Sequence, residues 1–130
     1  MYLFDTNIIS ELFRREPNAG VIAFTAQIRQ TRISTITLEE IFFGLSANPR
    51  PRILKRFKVF VTKQCIVLPV NAETARRSGE LRGQLRTKGS NRTQADMLIA
   101  ATAQQHNLTL VTRNLKDFER CDISIINPFI

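Results

Sequence analysis

Histidine is almost missing from this chain of 130 residues, since His106 stands alone. One imidazole beside Asn107, near the end of a predicted helix, is explained by its favourable interaction with the helix dipole. No second histidine exists to build a zinc site with it. Cysteine is scarce too: Cys65 and Cys121 lie far apart in apolar surroundings. That pattern reads as two buried reduced thiols rather than a disulfide or a metal pair. No apolar run is long enough to span a membrane, and Asp5 and Asn7 interrupt the first apolar stretch where a signal peptide needs continuity. Repeats, low-complexity tracts and linkers are likewise absent. A single domain over residues 1–130 in a reducing cytoplasm is therefore expected.

Acidic residues are also in deficit. Eleven Asp and Glu face 19 Lys and Arg, giving a formal charge of +8 and a pI near 10.5. For a domain of this size the imbalance favours a polyanionic partner, nucleic acid first and an anionic membrane surface second. Apolar residues, at 43%, suffice for a real core.

The apolar pattern alternates between short runs and helical spacing. Tyr2-Leu3-Phe4 reads as a strand, and Ile8, Ile9, Leu12 and Phe13 fall at helical spacing up to Pro17-Asn18. Helices are predicted over 20–30, from Leu38 to Leu45, over 51–63, from Asn71 as cap through Lys88, and from Thr93 to His106. Strands are predicted over 33–36, 66–68, 108–111 and 123–126, with a short helix or turn over 114–120. Ala72, Ala75, Ser78 and Gly79 form a stripe of small residues on which another backbone could pack closely. Strands alternating with helices imply a five-stranded parallel sheet covered on both faces, a three-layer α/β/α sandwich.

The few acids are unevenly placed. Asp5 ends the first predicted strand, Glu40 follows Thr37 by three residues, Asp96 follows Thr93 by three, and Asn114 and Asp117 follow the fourth strand. A parallel sheet gathers such strand-to-helix junctions along its carboxyl edge, where ligands bind. Taken singly, Thr37-x-x-Glu40 and Thr93-x-x-Asp96 are explained as capping devices, and Asp117 as an acid near a helix N-terminus. Asp5 resists that explanation, because an unpaired carboxylate is costly to bury. Taken together, converging carboxylates with no lysine among them repel one another and have raised pKa values. A divalent cation relieves that repulsion, and all-oxygen ligation suits Mg²⁺ or Mn²⁺. In a basic protein this points to metal-assisted phosphodiester hydrolysis. Asp5 and Asp96 would hold the metal and Glu40 would orient or deprotonate water. Thr6 and Thr112 would supply supporting hydroxyls.

Leu3-Phe4-Asp5-Thr6-Asn7, Glu40-Ile41-Phe42-Phe43-Gly44, Asp96-Met97-Leu98-Ile99-Ala100-Ala101 and Leu110-Val111-Thr112-Arg113-Asn114 together resemble the PIN-domain ribonucleases. Within them the chain is most similar to the VapC and FitB-like toxins of bacterial toxin–antitoxin pairs. The resemblance runs from Tyr2 to Asn127-Pro128-Phe129. It implies a PIN-like fold and an Mg²⁺- or Mn²⁺-dependent endoribonuclease that blocks translation by cutting RNA such as tRNA or rRNA. It also implies a VapB-like antitoxin, a homodimer, a larger hetero-oligomer with the antitoxin, and a bacterial cytoplasm. The family's first three acids map onto Asp5, Glu40 and Asp96. Its fourth position, often aspartate, maps onto Asn114, a departure for which Asp117 compensates three residues later. One well-held metal is expected.

Two basic segments remain. Arg50, Arg52, Lys55, Arg56, Lys58 and Lys63 form one, read equally as a solvated helix face. Arg76, Arg77, Arg82, Arg86, Lys88 and Arg92 lead into Asp96, and of these Arg82, Arg86, Lys88 and Arg92 are expected to contact the RNA backbone. Phe13, Phe24, Phe42 and Phe43 are assigned to the core, with a groove for the antitoxin as a second role. A haloacid-dehalogenase-like phosphatase would need an aspartate where Asn7 stands, and a receiver-like domain would need a second acid near Asp5. The remaining rival is a PIN-like module that binds nucleic acid or protein without cutting.

Overall fold

The computed structural model describes residues 1–130. Its centre is β1 (Tyr2–Phe4), hydrogen-bonded on one side to β2 (Thr31–Ser34) and on the other to β4 (Thr109–Val111). β3 (Cys65–Leu68) extends the sheet beyond β2 and β5 (Ile125–Ile126) extends it beyond β4, so the order is β3-β2-β1-β4-β5 with every pairing parallel.

Side chains alternate across a strand, and that alternation divides the core. Leu3 and Leu110 point into one layer with Met97, Ala100 and Ala103 of α6 (Gln94–Gln105) and Leu85 of α5 (Ala72–Thr87). Phe4, Val111 and Ile33 point into the other. There they meet Ile8 and Ile9 of α1 (Thr6–Leu12), Val21 of α2 (Ala19–Thr25) and Phe57 of α4 (Pro51–Gln64). Burying both faces is why β1, β3 and β5 read as continuous apolar runs. Each such side chain contributes about 1.5–3 kcal/mol on burial. The sandwich expected from the sequence is therefore present.

Several boundaries differ from the expected ones. β2 begins at Thr31 and ends at Ser34, because Thr31 through Ser34 pair in register with Cys65 through Leu68. α3 (Thr35–Ala47) thus starts earlier than read, and Ser34 is its cap, accepting from the Ile36 N–H at 3.0 Å. The Thr37-x-x-Glu40 capping box does not form, since both residues lie inside the helix. α2 stops at Thr25 and β5 is shortened to two residues. On α5, Thr74 and Ser78 are buried, while Ala72, Ala75 and Gly79 face outward, so most of the small-residue stripe packs on nothing. Phe13, Phe24 and Phe42 pack into the core cluster as expected, but Phe43 is 68% exposed. Cys121 is buried and Cys65 half-buried, both free; burial pushes the Cys65 thiol up to about 11 and raises Cys121 as well.

Asn18 ties the chain's end to the fold. Its Oδ1 accepts from the N–H groups of Gly20, Val21 and Ile130, and its Nδ2 donates to the Ile130 carbonyl. A Cβ on Gly20 would lie 2.2 Å from the Pro128 carbonyl oxygen, a contact with backbone that cannot be relieved by a rotamer change. Gly44, in α3, has open space where a Cβ would go. Gly20→Ala should therefore lower the melting temperature, at a cost of about 1–3 kcal/mol. Gly44→Ala should raise it by the helix-propensity gain of about 0.5–1 kcal/mol. Thermal denaturation of the two variants checks the opposite signs.

Candidate active site

The chain reaches β1 first, builds β2 and β3 outward on one side, then returns to place β4 on the other. The switch between directions falls between β1 and β4. Phe4 pairs with Val111, so the next residue on each strand, Asp5 and Thr112, stand side by side at the carboxyl edge. The Asp5 N–H continues the ladder to the Val111 carbonyl at 2.9 Å.

Asp5 caps α1, with extended backbone at φ −70° and ψ 161°. Its Oδ1 accepts from the Thr6 N–H at 2.8 Å. Its Oδ2 accepts from the Thr112 hydroxyl at 2.8 Å and from Asn7 Nδ2 at 3.1 Å. The Thr112 oxygen in turn accepts from the Asn114 N–H at 3.0 Å, and Asn7 Oδ1 accepts from the Arg113 N–H at 3.1 Å. Asn7 thus clasps β4's exit to Asp5. Sequence reading gave it no role; its position two residues after the carboxylate is the available signal, since a side-chain bond from i+2 back to i closes locally.

A second cluster adjoins the first. Thr6 donates its hydroxyl to Glu40 Oε1 at 2.5 Å, and the Thr37 hydroxyl lies 3.0 Å from that of Thr6. Thr37 is fully buried, the other residue that sequence reading treated only as a cap. Glu40 is half-buried and reaches the site from the second turn of α3, not from its first. Asp96 comes from the first turn of α6, where Thr93 caps the helix by accepting from the Asp96 N–H at 3.1 Å. Half of the expected capping box forms here, the bond to the Thr93 hydroxyl but not one from the carboxylate back to the Thr93 N–H, and the carboxylate is left half-buried at the same edge.

Electrostatics show which acids face each other. Burial pushes the Asp5 carboxyl up to about 6. The bonds from Thr112 and Thr6 oppose that rise, and the charges of Asp96 and Glu40 add to it. Burial likewise raises Asp96; Thr93 opposes, Asp117 and Glu40 add, and Arg92 opposes. Asp117 is exposed on the short 3-10 turn Leu115–Phe118, and Asn114, also exposed, offers its backbone to Thr112 while its side chain caps nothing. Asp5, Glu40, Asp96 and Asp117 therefore share one field. No three Asp, Glu, His or Cys side chains group tightly enough to clamp an ion among themselves.

Of the basic residues, Arg76 is bound to Glu73 and Glu80, and Arg77 to Glu73, at 2.7–2.8 Å on α5. Their charge is balanced locally by these carboxylates. Arg92 is anchored to the Asp117 carbonyl and the Ser90 hydroxyl, each at 2.8 Å. Arg82, Arg86 and Lys88 are exposed.

A family model described as PIN domain matches residues 2–123. The Sinorhizobium fredii protein named VapC ribonuclease Y4jK is 36% identical over 99% of this chain and 98% of its own. The crystal structure of FitAcB from Neisseria gonorrhoeae superposes with a TM-score of 0.85 at 30% identity, covering 98% of each chain. A toxin–antitoxin complex from Klebsiella pneumoniae gives a TM-score of 0.77 at 31% identity, over 99% of this chain and 98% of that one.

The raised carboxyl of Asp5 fixes the sign of a pH effect. Its folded pKa lies above 3.8, so the folded state binds the proton more tightly and is favoured below pH 4. That advantage is lost as pH rises through about 6, a change of about 3 kcal/mol for this group. In metal-free buffer, wild-type stability minus that of Asp5→Asn should fall between pH 4 and 7, as read from denaturant midpoints. A flat difference would show that Asp5 ionises normally.

Proposed function

The chain belongs to the PIN-domain family, and from that premise we propose that it is a divalent-metal-dependent endoribonuclease, the toxin half of a toxin–antitoxin pair that inhibits translation. The observation that carries the reading is the carboxyl edge itself. A buried Asp5, fixed by three donors, lies in the field of both Asp96 and Glu40, the latter held by Thr6. The donor set is oxygen only, which fits a hard ion. With no three acids grouped into a cage, it also fits Mg²⁺ or Mn²⁺ bound by two carboxylates and water better than a closed protein cage.

Asp5 and Asp96 would hold the ion. When bound, the ion supplies positive charge to the phosphoryl group and makes water more acidic. Glu40 accepts the proton of the attacking water, and the Thr6 hydroxyl holds its Oε1 in place. Thr112 and Asn7 keep the Asp5 carboxylate turned to one orientation, and their full set of bonds leaves it no alternative rotamer without loss. Asp117 restores near Asp96 some of the negative charge that Asn114 does not carry. RNA as substrate, with tRNA and rRNA as classes to test, follows from the relative named as a ribonuclease and from the net charge of +8.

For the antitoxin the structure offers a groove between α1, α2 and α4. Leu12, Phe13, Ile22, Val59 and Phe60 line it, with Lys55 and Arg56 beside them. An apolar segment carrying acidic residues matches that chemistry, and the similarity to the Klebsiella pneumoniae toxin–antitoxin complex supports an antitoxin as partner.

Purified antitoxin-free protein should cleave a pool of structured RNAs, tRNA included, with Mg²⁺ or Mn²⁺ and not with chelator. Asp96→Asn and Asp5→Asn should each reduce cleavage by about 100-fold or more, and Thr6→Val by about 10–100-fold. Folded protein that binds RNA yet cuts none under any of these conditions would instead be a non-catalytic binding module. Val59 is 49% exposed, so Val59→Asp should leave the fold and cleavage intact while preventing co-purification of the antitoxin.

A further inference from the structure

On α5 the guanidiniums divide into two groups. Those of Arg76 and Arg77 are bound by Glu73 and Glu80, so the first half of the helix is electrically quiet. One to two turns later, Arg82 and Arg86 form no ion pair and no hydrogen bond within the chain, and they stand four residues apart on one face. Together with Gly79, Gly83, Asn91 and Arg92 they line a concavity of about 490 Å³ that contains no acidic and no apolar side chain.

Two further features make this more than a solvated helix face. Gly79 and Gly83 have open space where a Cβ would go, so the helix backbone itself forms the floor and a ligand can sit low between the arginines. Arg92 is fixed at the other side by Asp117 and Ser90, and it is the residue whose charge reaches Asp96. The concavity therefore adjoins the carboxylates without sharing their sign. Lys88, though basic, does not line it.

We propose that this concavity binds a backbone phosphate of the RNA strand next to the phosphodiester that is cut, with Arg82 and Arg86 as its ligands and Arg92 joining it to the cleavage site. The proposal rests on the ribonuclease reading above. Paired N–H donors of a guanidinium match the oxygens of a phosphodiester, and a contact of this kind sets strand register without reading sequence. No covalent step is involved.

The test is binding of a fluorescent single-stranded oligoribonucleotide to Asp96→Asn protein in chelator, by anisotropy across a salt series. Removing both arginines (Arg82→Ala with Arg86→Ala) should weaken binding about tenfold. It should also lower the salt slope by about 0.7 to 1, as expected for one lost phosphate contact. Gly83→Leu keeps every charge and suits a helix, so its melting temperature should not fall, yet it should weaken binding at least about fivefold by filling the floor. Removing the same charge from α4, by Arg52→Ala with Lys58→Ala, should have a clearly smaller effect. An equal effect from α4, or unchanged binding in Gly83→Leu, overturns the proposal. So does a Gly83→Leu protein whose sedimentation changes while its RNA affinity holds, which would make the concavity a contact between copies. The two readings fail separately. Absent cleavage with these binding effects intact removes the nuclease alone, whereas normal cleavage with none of them removes this site alone.

Discussion

The pairing of Phe4 with Val111 is the constraint on which the site depends. It sets the first carboxylate of the chain next to a hydroxyl near its end, and everything else at that edge is arranged around the two. Asp5 could not stay ionised there without donors, and it has three: a backbone N–H, an amide and a hydroxyl. Both side-chain donors are themselves held, since Thr112 accepts from Asn114 and Asn7 accepts from Arg113. Leaving a buried polar group unpaired costs about 1–3 kcal/mol, so the cluster tends to keep all its members or lose its geometry. No buried side-chain nitrogen or oxygen lacks a partner anywhere in the chain.

Charge is distributed with the same logic. The acids are collected where α1, α3 and α6 begin or pass, and there the charges of Asp96 and Glu40 add to the burial that makes Asp5 harder to ionise. Of the arginines, Arg76 and Arg77 are occupied by partners on their own helix, and Arg92, whose charge reaches Asp96, is held by a backbone carbonyl. A guanidinium inserted directly among the carboxylates would neutralise them and remove the reason for a cation. The fold separates the two signs instead of pairing them.

Much of this was readable from the residues. A short apolar run delivering Asp5 to a junction, and Thr93 capping the helix that carries Asp96, both follow local rules and both stand in the structure. Glu40 was placed at the right edge for a mistaken reason. Ile33 to Ile36 has strand composition, so Thr37 looked like the cap; pairing with β3 decides instead that the strand ends at Ser34. Nothing local reports that pairing. Phe43 was misplaced because α3 carries Ile36, Leu38, Ile41, Phe42, Phe43 and Leu45, too many apolar residues for a helical phase to show which one faces solvent. Asn7 and Thr37 act through contacts with Thr112 and Thr6, which are distant in sequence, and a motif scan does not see such contacts.

Asp5 and Thr112 are separated by 107 positions, and the bond between them closes almost the whole chain into a loop. Contacts of such long range form late, because the entropy of closing the loop is spent before the contact rewards it. In a growing polypeptide Asp5 is made 107 positions before the Thr112 that orients it. Until then the carboxylate has only its two donors from α1, Thr6 and Asn7, and none from the exit of β4. Whatever chemistry this edge performs is thereby withheld from the growing polypeptide until β4 has been made and has paired with β1.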